Sequence, residues 1–488
     1  MAVQGNPRSN ELPDLLSEGG PRRAHLVGIA GAGMRAMAGV LYGWGWKLSG
    51  SDSGVTSGET LGLPGVKVST SHAAENVAEG TDLVIHSDAL GGDNEELQRA
   101  AKLGIPVATY FQVAGCLMRW FNGIAVAGTH GKSTTTAMAA RVLIDAGLDP
   151  TVLCGAHELG NTDGEIAGGG RSGGGKLMLV EACEYRQNFL HLQPRCAAIL
   201  GIEADHFDCY EKMDDIRRAF ELFAASVPSD GFLIVKHDCF STRSVVSEAT
   251  CKVETFGFKV SGSVTQPDWM ARLIDSQLGR YRFEILHCGI GIGEIALKLP
   301  GRHNVLNALA TAALAFHQGV DAERIASSLS EFRGLNRRLE LLGTWHGVTI
   351  LDDYAHHPTE VAVTLQAIRE MYPGRRLCCV FQPHQASRTA RLLDELAEGL
   401  ENVDCLVLAE IFRAREGPPR PGQVTAEDLA DAIRRRGQYV SDSRSANEIH
   451  KELINNLRPG DVLVTIGAGD IRRIANGYIH WIREDRAA

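Results

Sequence analysis

The run Val126-Ala-Gly-Thr-His-Gly-Lys-Ser-Thr-Thr-Thr136 carries the most specific chemistry in the chain. An apolar stretch ends in glycines, and a helical pattern begins at Lys132. Glycines let the backbone curl until successive N–H groups point at one anion, and the helix N-terminus adds a positive partial charge. Gly128, Thr129, His130, Gly131, Lys132, Ser133 and Thr134 are therefore expected to bind ATP. Lys132 supplies a mobile cation for the β- and γ-phosphates, and Ser133 offers its hydroxyl to Mg²⁺. The spacing is G-x-x-G-K-S, shorter than the full phosphate-loop motif, because Val126 stands where the first glycine would be.

Glu181 closes the next strand pattern, and Glu203, Asp205 and His206 follow a third. Strand C-termini of a parallel sheet gather on one edge, so Glu181 and His206 can complete a metal shell with Ser133. Carboxylate and hydroxyl oxygens suit Mg²⁺; the histidine points to a softer ion such as Mn²⁺. A lone strand-end glutamate can equally be a solvated terminus, but the pattern recurs on adjacent strands. Gly28-Ile-Ala-Gly-Ala-Gly-Met34 is a second glycine loop, spaced G-x-x-G-x-G, with Ser51 and Asp52 about twenty residues on. It could hold the diphosphate of a nucleotide, Asp52 or Ser51 contacting base or ribose; the alternative is a close-packed turn. In the last third, Asp352-Asp-Tyr-Ala-His-His-Pro358, Gln382-Pro-His-Gln-Ala-Ser-Arg388 and Gly467-Ala-Gly-Asp470 each follow a strand pattern. Together they make one rim, as for a binding crevice, and Arg388 is suited to clamp a carboxylate. Cys378 and Cys379 sit inside an apolar strand and read as core.

These loops require three α/β units, each alternating short apolar runs with helical patterns. Strands are expected at 24–30, 46–50, 81–86 and 105–109, then at 123–128, 176–181, 197–200 and 232–235, then at 348–352, 377–381, 404–409 and 462–466. Hairpins fill 255–299, a helix follows at 304–317, and helices lie near 359–371, 387–400, 425–436 and 445–457. The domains read as a disordered tail 1–20, then 21–115, 116–335 and 336–488, with linkers near 110–122 and 332–346. The chain has 488 residues, 44% hydrophobic and 22% charged, with 49 basic against 59 acidic side chains, a net −10. That balance opposes a nucleic-acid surface. No apolar run has membrane length, and eleven irregularly spaced cysteines suit a reducing compartment, so a cytoplasmic protein is expected.

The order of motifs resembles the Mur ligase family over nearly the whole chain. The matching stretches are His25 to Met34, Gly128 to Ser133, Ile202-Glu-Ala-Asp-His206, Leu299-Pro-Gly-Arg-His-Asn-Val-Leu-Asn307, Asp352 to Pro358 and Gly467 to Ile471. The resemblance implies a Rossmann-like first domain, a central P-loop ATPase-type domain and a Rossmann-like third domain. It implies an ATP-dependent ligase that joins L-alanine to the lactyl carboxylate of UDP-N-acetylmuramate through an acyl phosphate. Gly31, Ala32, Gly33 and Met34 would grip the UDP-sugar, with Ser51, Asp52, His72, Ser87 and His130 nearby. Asn304 and Asn307 would read adenine, Asp352 or Asp353 the ribose, and Arg338 would also contact ATP. Arg388 would hold the amino-acid carboxylate beside Tyr354, His356 and His357. Lys132, His206, His357 and Arg388 would carry the catalysis, with either His357 or His206 taking the amine proton.

Several positions depart from the family pattern. Cys183 and Tyr185 stand where many relatives have Asp and Ser, Gly201 replaces an Asn, and Gln385 replaces an Arg. The helix from Asp214 to Phe223 lacks the lysine that some relatives carbamoylate, as expected for the alanine-adding type. A ligase attaching a recycled peptide to the same sugar, an NAD(P) oxidoreductase and a non-catalytic nucleotide-binding regulator are the rival readings. The second leaves Lys132 and Asn304 without a role, and intact Lys132, Glu181 and His206 oppose the third. Membrane partners are not expected; a homo-oligomer is compatible with the sequence.

Overall fold

Strands that are apolar on both faces must be covered on both, and three sheets form wherever such runs occur. A computed structural model describes Leu12, Leu16 and residues 22–485, apart from 57–60, 160–168, 261–264 and 442–443. The first sheet contains β1 (Arg23–Val27), β2 (Lys47–Ser51), β3 (Lys67–Ser69), β4 (Leu83–His86) and β5 (Val107–Thr109), all parallel, in the order β3-β2-β1-β4-β5. The order reverses on either side of β1, so the Gly28 loop sits at the switch point where such sheets open a crevice.

The central sheet has ten strands, in the order β15-β14-β13-β12-β11-β10-β6-β9-β7-β8. Its parallel heart is β6 (Asn122–Ala127), flanked by β9 (Leu177–Glu181) and β10 (Cys196–Ile199). β11 (Phe232–Lys236) and β12 (Lys252–Phe258) extend it. β13 (Trp269–Gln277), β14 (Arg280–His287) and β15 (Ile290–Pro300) form the expected antiparallel hairpins. On the other side lie β7 (Thr151–Leu153) and the short edge strand β8 (Gly170–Arg171). The third sheet comprises β16 (Glu340–Trp345), β17 (Val348–Asp353), β18 (Leu377–Phe381), β19 (Cys405–Leu408) and β20 (Val462–Ile466), in the order β16-β17-β20-β18-β19. All but β16 run parallel.

Both expected linkers carry structure. Residues Tyr110–Met118 form a helix, started by a capping box in which Thr109 and Gln112 bond each other's backbone. It is buried nearly all round, and its side chains join the first and central sheets in one hydrophobic cluster. Within the stretch 332–346, β16 pairs antiparallel with β17. The helix expected at 387–400 breaks at Leu392 into Ala386–Arg391 and Leu393–Gly399. Of the tail 1–20, Leu12 and Leu16 are helical and pack on the first core; its other residues lie outside the described ones. Among the described residues no helix is long and apolar enough to cross a membrane.

Candidate active site

β6 delivers the phosphate loop. Gly128 has φ +130° and Gly131 φ +80°, a left-handed conformation from which the helix Lys132–Asp145 starts. A Cβ on Gly131 would stand 2.6 Å from Asn307 Oδ1, so the missing side chain lets the helix Arg302–Phe316 close on the loop. Thr129 braces the other side: its N–H donates to the Gly201 carbonyl (2.9 Å), and its Oγ1 accepts from Glu203 N–H (2.9 Å). Lys132 Nζ donates to the Gly128 and Thr129 carbonyls and lies 3.0 Å from Glu184 Oε2. Burial alone would discharge this ammonium; the Glu184 carboxylate outweighs burial and holds the pKa above the usual lysine range. Glu184, buried and three residues past Glu181, had no role in the sequence reading.

Ser133 Oγ donates to Glu181 Oε1 at 2.7 Å, so two of the three expected metal ligands meet at the mouth of the loop. A hydroxyl and a carboxylate fit a hard cation. His206, at φ +54°, turns its Nε2 to Glu184 Oε1 at 3.5 Å and stacks edgewise against Tyr185. With Cys183 and Glu184 it makes a group whose donor atoms lie within 4.8 Å of one another. Burial pushes the Cys183 thiol up to about 12, so it stays protonated beside these carboxylates.

Two cavities flank the loop and share Gly131, Arg338 and Glu360. The first, about 340 Å³, is lined by His130, Thr134, Asn304, Asn307 and Asp353, with apolar walls from Phe256, Phe258 and Leu299. Its chemistry, flat apolar surface with a few amides, suits a purine. Asp353 accepts from the backbone N–H groups of Leu339 and Ala355, and burial raises its carboxyl to about 6 despite the Arg338 guanidinium. Asp352 does not line it. As neighbours on a strand the two side chains alternate, and the Asp352 carboxylate accepts from Thr465 Oγ1 with Arg337 and Arg472 alongside. Of the two, only Asp353 lines the cavity.

The second cavity, about 620 Å³, receives side chains from all three units: Ala32 from the first; Lys132, Ser133, Glu181 and His206 from the central one; Tyr354, His356 and Arg388 from the third. Arg388 is buried; its Nε donates to Asp205 Oδ1 at 2.8 Å, and its Nη1 lies 2.7 Å from His384 Nδ1. Burial and the Arg388 charge leave His356 and His384 neutral, at about 4 and about 3. Arg337 stacks on the Tyr354 ring, 4.7 Å from its centre, and its guanidinium donates to the Gly467 carbonyl of the expected rim. His357 caps the helix Pro358–Met371 and faces His130, not this cavity. Glu360, in the first turn of that helix, reaches back to His130 and Arg338 and was missed from sequence.

The first unit meets the cavity only through Ala32. Met34 is a core side chain, leaving its backbone alone for a ligand. Asp52 closes the glycine loop by accepting from Ala30 N–H, and Ser87 follows β4 beside Gly28. Ser51 is fully buried and donates to Glu96 Oε2 at 2.6 Å, with His72 Nδ1 2.9 Å away. Glu96 also accepts from Asn76 and faces His25, and these bonds outweigh burial to hold its carboxyl near 2. The Ser51 hydroxyl is thus committed inside the protein, where the sequence had suggested a nucleotide contact.

Three family models match in chain order: "Mur ligase family, catalytic domain" over 23–122, "Mur ligase middle domain" over 126–315 and "Mur ligase, glutamate ligase domain" over 337–469. The chain is 38% identical over 461 residues to a UDP-N-acetylmuramate–L-alanine ligase of Caldanaerobacter subterraneus subsp. tengcongensis, covering 94% of this chain and 97% of that one. It is 37% identical to the enzyme of the same name from Clostridium kluyveri, covering 94% and 98%. Among solved structures it resembles the UDP-N-acetylmuramate-alanine ligase MurC of Thermotoga maritima, with TM-score 0.78, 26% identity and coverage of 95% and 99%. A murein peptide ligase of Psychrobacter arcticus shares the fold at TM-score 0.71 and 24% identity, covering 94% and 98%.

Proposed function

The chain belongs to the Mur ligase family, and from that premise we propose that it spends ATP to join L-alanine to the lactyl carboxylate of UDP-N-acetylmuramate, a step of peptidoglycan precursor synthesis. One observation carries this reading: a single cavity takes the glycine loop of the first unit, the phosphate loop of the second and the Arg388 rim of the third. A sugar acid, a triphosphate and an amino acid can meet only where three such surfaces converge. The domain limits 21–115, 116–335 and 336–488 follow the same division. All eleven cysteines are free, which suits the cytoplasm where these precursors are assembled.

A carboxylate and an amine in water exchange a proton and go no further. Phosphorylation of the lactyl carboxylate makes an acyl phosphate, the alanine amine attacks it, and phosphate leaves as the amide forms. Lys132 exchanges its loop carbonyls for phosphate oxygens and stabilises the transferring group. Ser133 and Glu181, with His206 as the proposed third ligand, would hold Mg²⁺, which would supply charge stabilisation to that group. Asn304 and Asn307 hold the adenine, Asp353 and Arg338 stand at the ribose side, and Thr134 lies beneath. The backbone of Gly31 to Met34, with Asp52, His72, Ser87 and His130, keeps the UDP-sugar in register. Arg388 orients alanine, and such alignment can lower a barrier by about 7–11 kcal/mol. With the His357 Nε2 turned to the Ala204 carbonyl, His206 and His356 are the imidazoles lining the cavity where the amine would arrive.

The deciding experiment measures phosphate release from ATP with UDP-N-acetylmuramate and each of the twenty amino acids, plus the tripeptide of a recycling ligase. L-alanine is expected to give the fastest release, with glycine and serine as the nearest competitors. A preference for the tripeptide would reassign the substrate, and no release with any acceptor would refute the reading.

A further inference from the structure

Beside the Ser133–Glu181 pair and the Cys183, Glu184 and His206 group already described, a further group of side chains among the described residues converges as ligands do. His130 Nε2 lies 3.4 Å and His357 Nδ1 3.7 Å from Glu203 Oε2, and all three atoms lie within 4.8 Å of one another. A tetrahedral ion with ligands at about 2.0–2.2 Å spaces neighbouring donors by roughly 3.4 Å. The tautomers are fixed from outside. His357 Nε2 sits 3.2 Å from the Ala204 carbonyl and can only donate there, while its Nδ1 accepts a 3.4 Å bond from Thr359 N–H. The Nδ1 lone pair is spent on that long helix-cap bond, and an ion beside Glu203 would take it over from Thr359 N–H. His130 Nδ1 is 3.1 Å from Glu360 Oε1, which frees Nε2 toward Glu203. Glu203 Oε2 in turn accepts from the Thr359 hydroxyl at 2.6 Å. Each ligand atom thus belongs to a residue with its own outer partner, the arrangement that orients ligands in metal sites.

The geometry points to a three-ligand site for a borderline-soft divalent cation such as Zn²⁺, formed by His130, Glu203 and His357, with a fourth position open to water. Two imidazoles and one carboxylate are a zinc-type set; Mg²⁺ prefers oxygen donors. His130 and Glu203 come from the central unit and His357 from the third, so the bound ion is a staple across the two.

The test is a titration of the full chain with Co²⁺ alone, in excess Mg²⁺ at neutral pH, read by absorption. The wild-type protein is expected to bind a single equivalent with the intense visible bands of four-coordinate cobalt. Glu203→Gln and His357→Ala each lose those bands, and Glu360→Gln, which removes only an outer partner, weakens cobalt binding by about 10–100-fold. Glu181→Gln keeps them. Unchanged circular dichroism certifies each variant as folded. Absence of the bands in the wild-type chain, their survival in Glu203→Gln, or their loss in Glu181→Gln overturns the site. None of these readings depends on which amino acid the protein ligates.

Discussion

Lys132 shows how a buried cation is held ready: its three donors are spent on its own loop and on Glu184, all groups it can exchange for phosphate oxygens. Replacing it by alanine leaves Glu184 buried without its cation and removes the charge aimed at the phosphates. Lys132→Ala is expected to lower alanine-dependent phosphate release by about 10²–10³-fold. Calorimetry should show UDP-N-acetylmuramate binding unchanged, since the sugar-binding loop belongs to another sheet. Loss of both would mean that the substitution unfolds the loop. A second residue, Glu96, links the first unit to pH. Its carboxyl is held near 2, against an ordinary value of 4.5, by Ser51, Asn76 and His25. A depressed acid contributes stability that is complete above about 4.5 and disappears as pH falls toward 2. Each tenfold change in proton affinity is worth about 1.4 kcal/mol, so urea unfolding should place Glu96→Gln below the wild type by a few kcal/mol at pH 7. The gap should narrow steadily below pH 4.5. A gap that does not depend on pH would mean the amide costs packing and that no charge is involved.

The helix Tyr110–Met118 tests the same reasoning on an element. An ideal Cβ at Gly115 would sit 2.1 Å from the His191 carbonyl oxygen, so backbone meets backbone there. Glycine inside a helix is worth about 0.5–1 kcal/mol less than alanine, whereas overpacking costs about 1–3 kcal/mol. Overpacking wins, and Gly115→Ala should lower the urea midpoint; a stabilised variant would mean the contact is loose. That helix also marks where sequence reading stopped. β18 and β20 were legible to the residue because buried parallel strands are unbroken apolar runs. Tyr110–Met118 is buried nearly all round, so it has no polar face to set a period, and it read as a linker. β16 was missed because an exposed edge strand of mixed polarity matches no pattern. Within the site, the phosphate loop was legible since Gly128 to Ser133 act as one local turn. Glu360 and Glu184 were not: each takes its role from a partner that is remote in sequence, His130 for one and Lys132 for the other. Asp352 and Asp353 could be separated only once strand β17 fixed which side chain faces the cavity.

At the scale of the whole molecule, the central and third units meet, among the described residues, through a few polar bonds and little apolar contact. Arg388 reaches Asp205, Thr359 reaches Glu203, His357 reaches the Ala204 carbonyl, Glu360 reaches His130 and Tyr281 reaches Glu370. The third sheet keeps its own two cores, apart from Phe207, which packs against one of them. An interface of this kind can open, and substrates need it to, because the second cavity has walls from all three units. The Arg388–Asp205 pair is buried on both sides, and removing one partner of a buried pair costs about 3–5 kcal/mol. Two conformations of one protein usually differ by only a few kcal/mol, so that loss is large enough to reverse the balance between them. Asp205→Asn is therefore expected to stay open. Small-angle scattering should show the wild-type chain contracting when UDP-N-acetylmuramate and a non-hydrolysable ATP analogue are both present, while Asp205→Asn keeps its larger radius under the same ligands. Because Arg388 is then also freed from its carboxylate partner, alanine should be bound more weakly and KM should rise more than kcat falls. Equal contraction of both proteins would mean that the remaining bonds suffice to close the molecule, and that Asp205 serves only to aim Arg388.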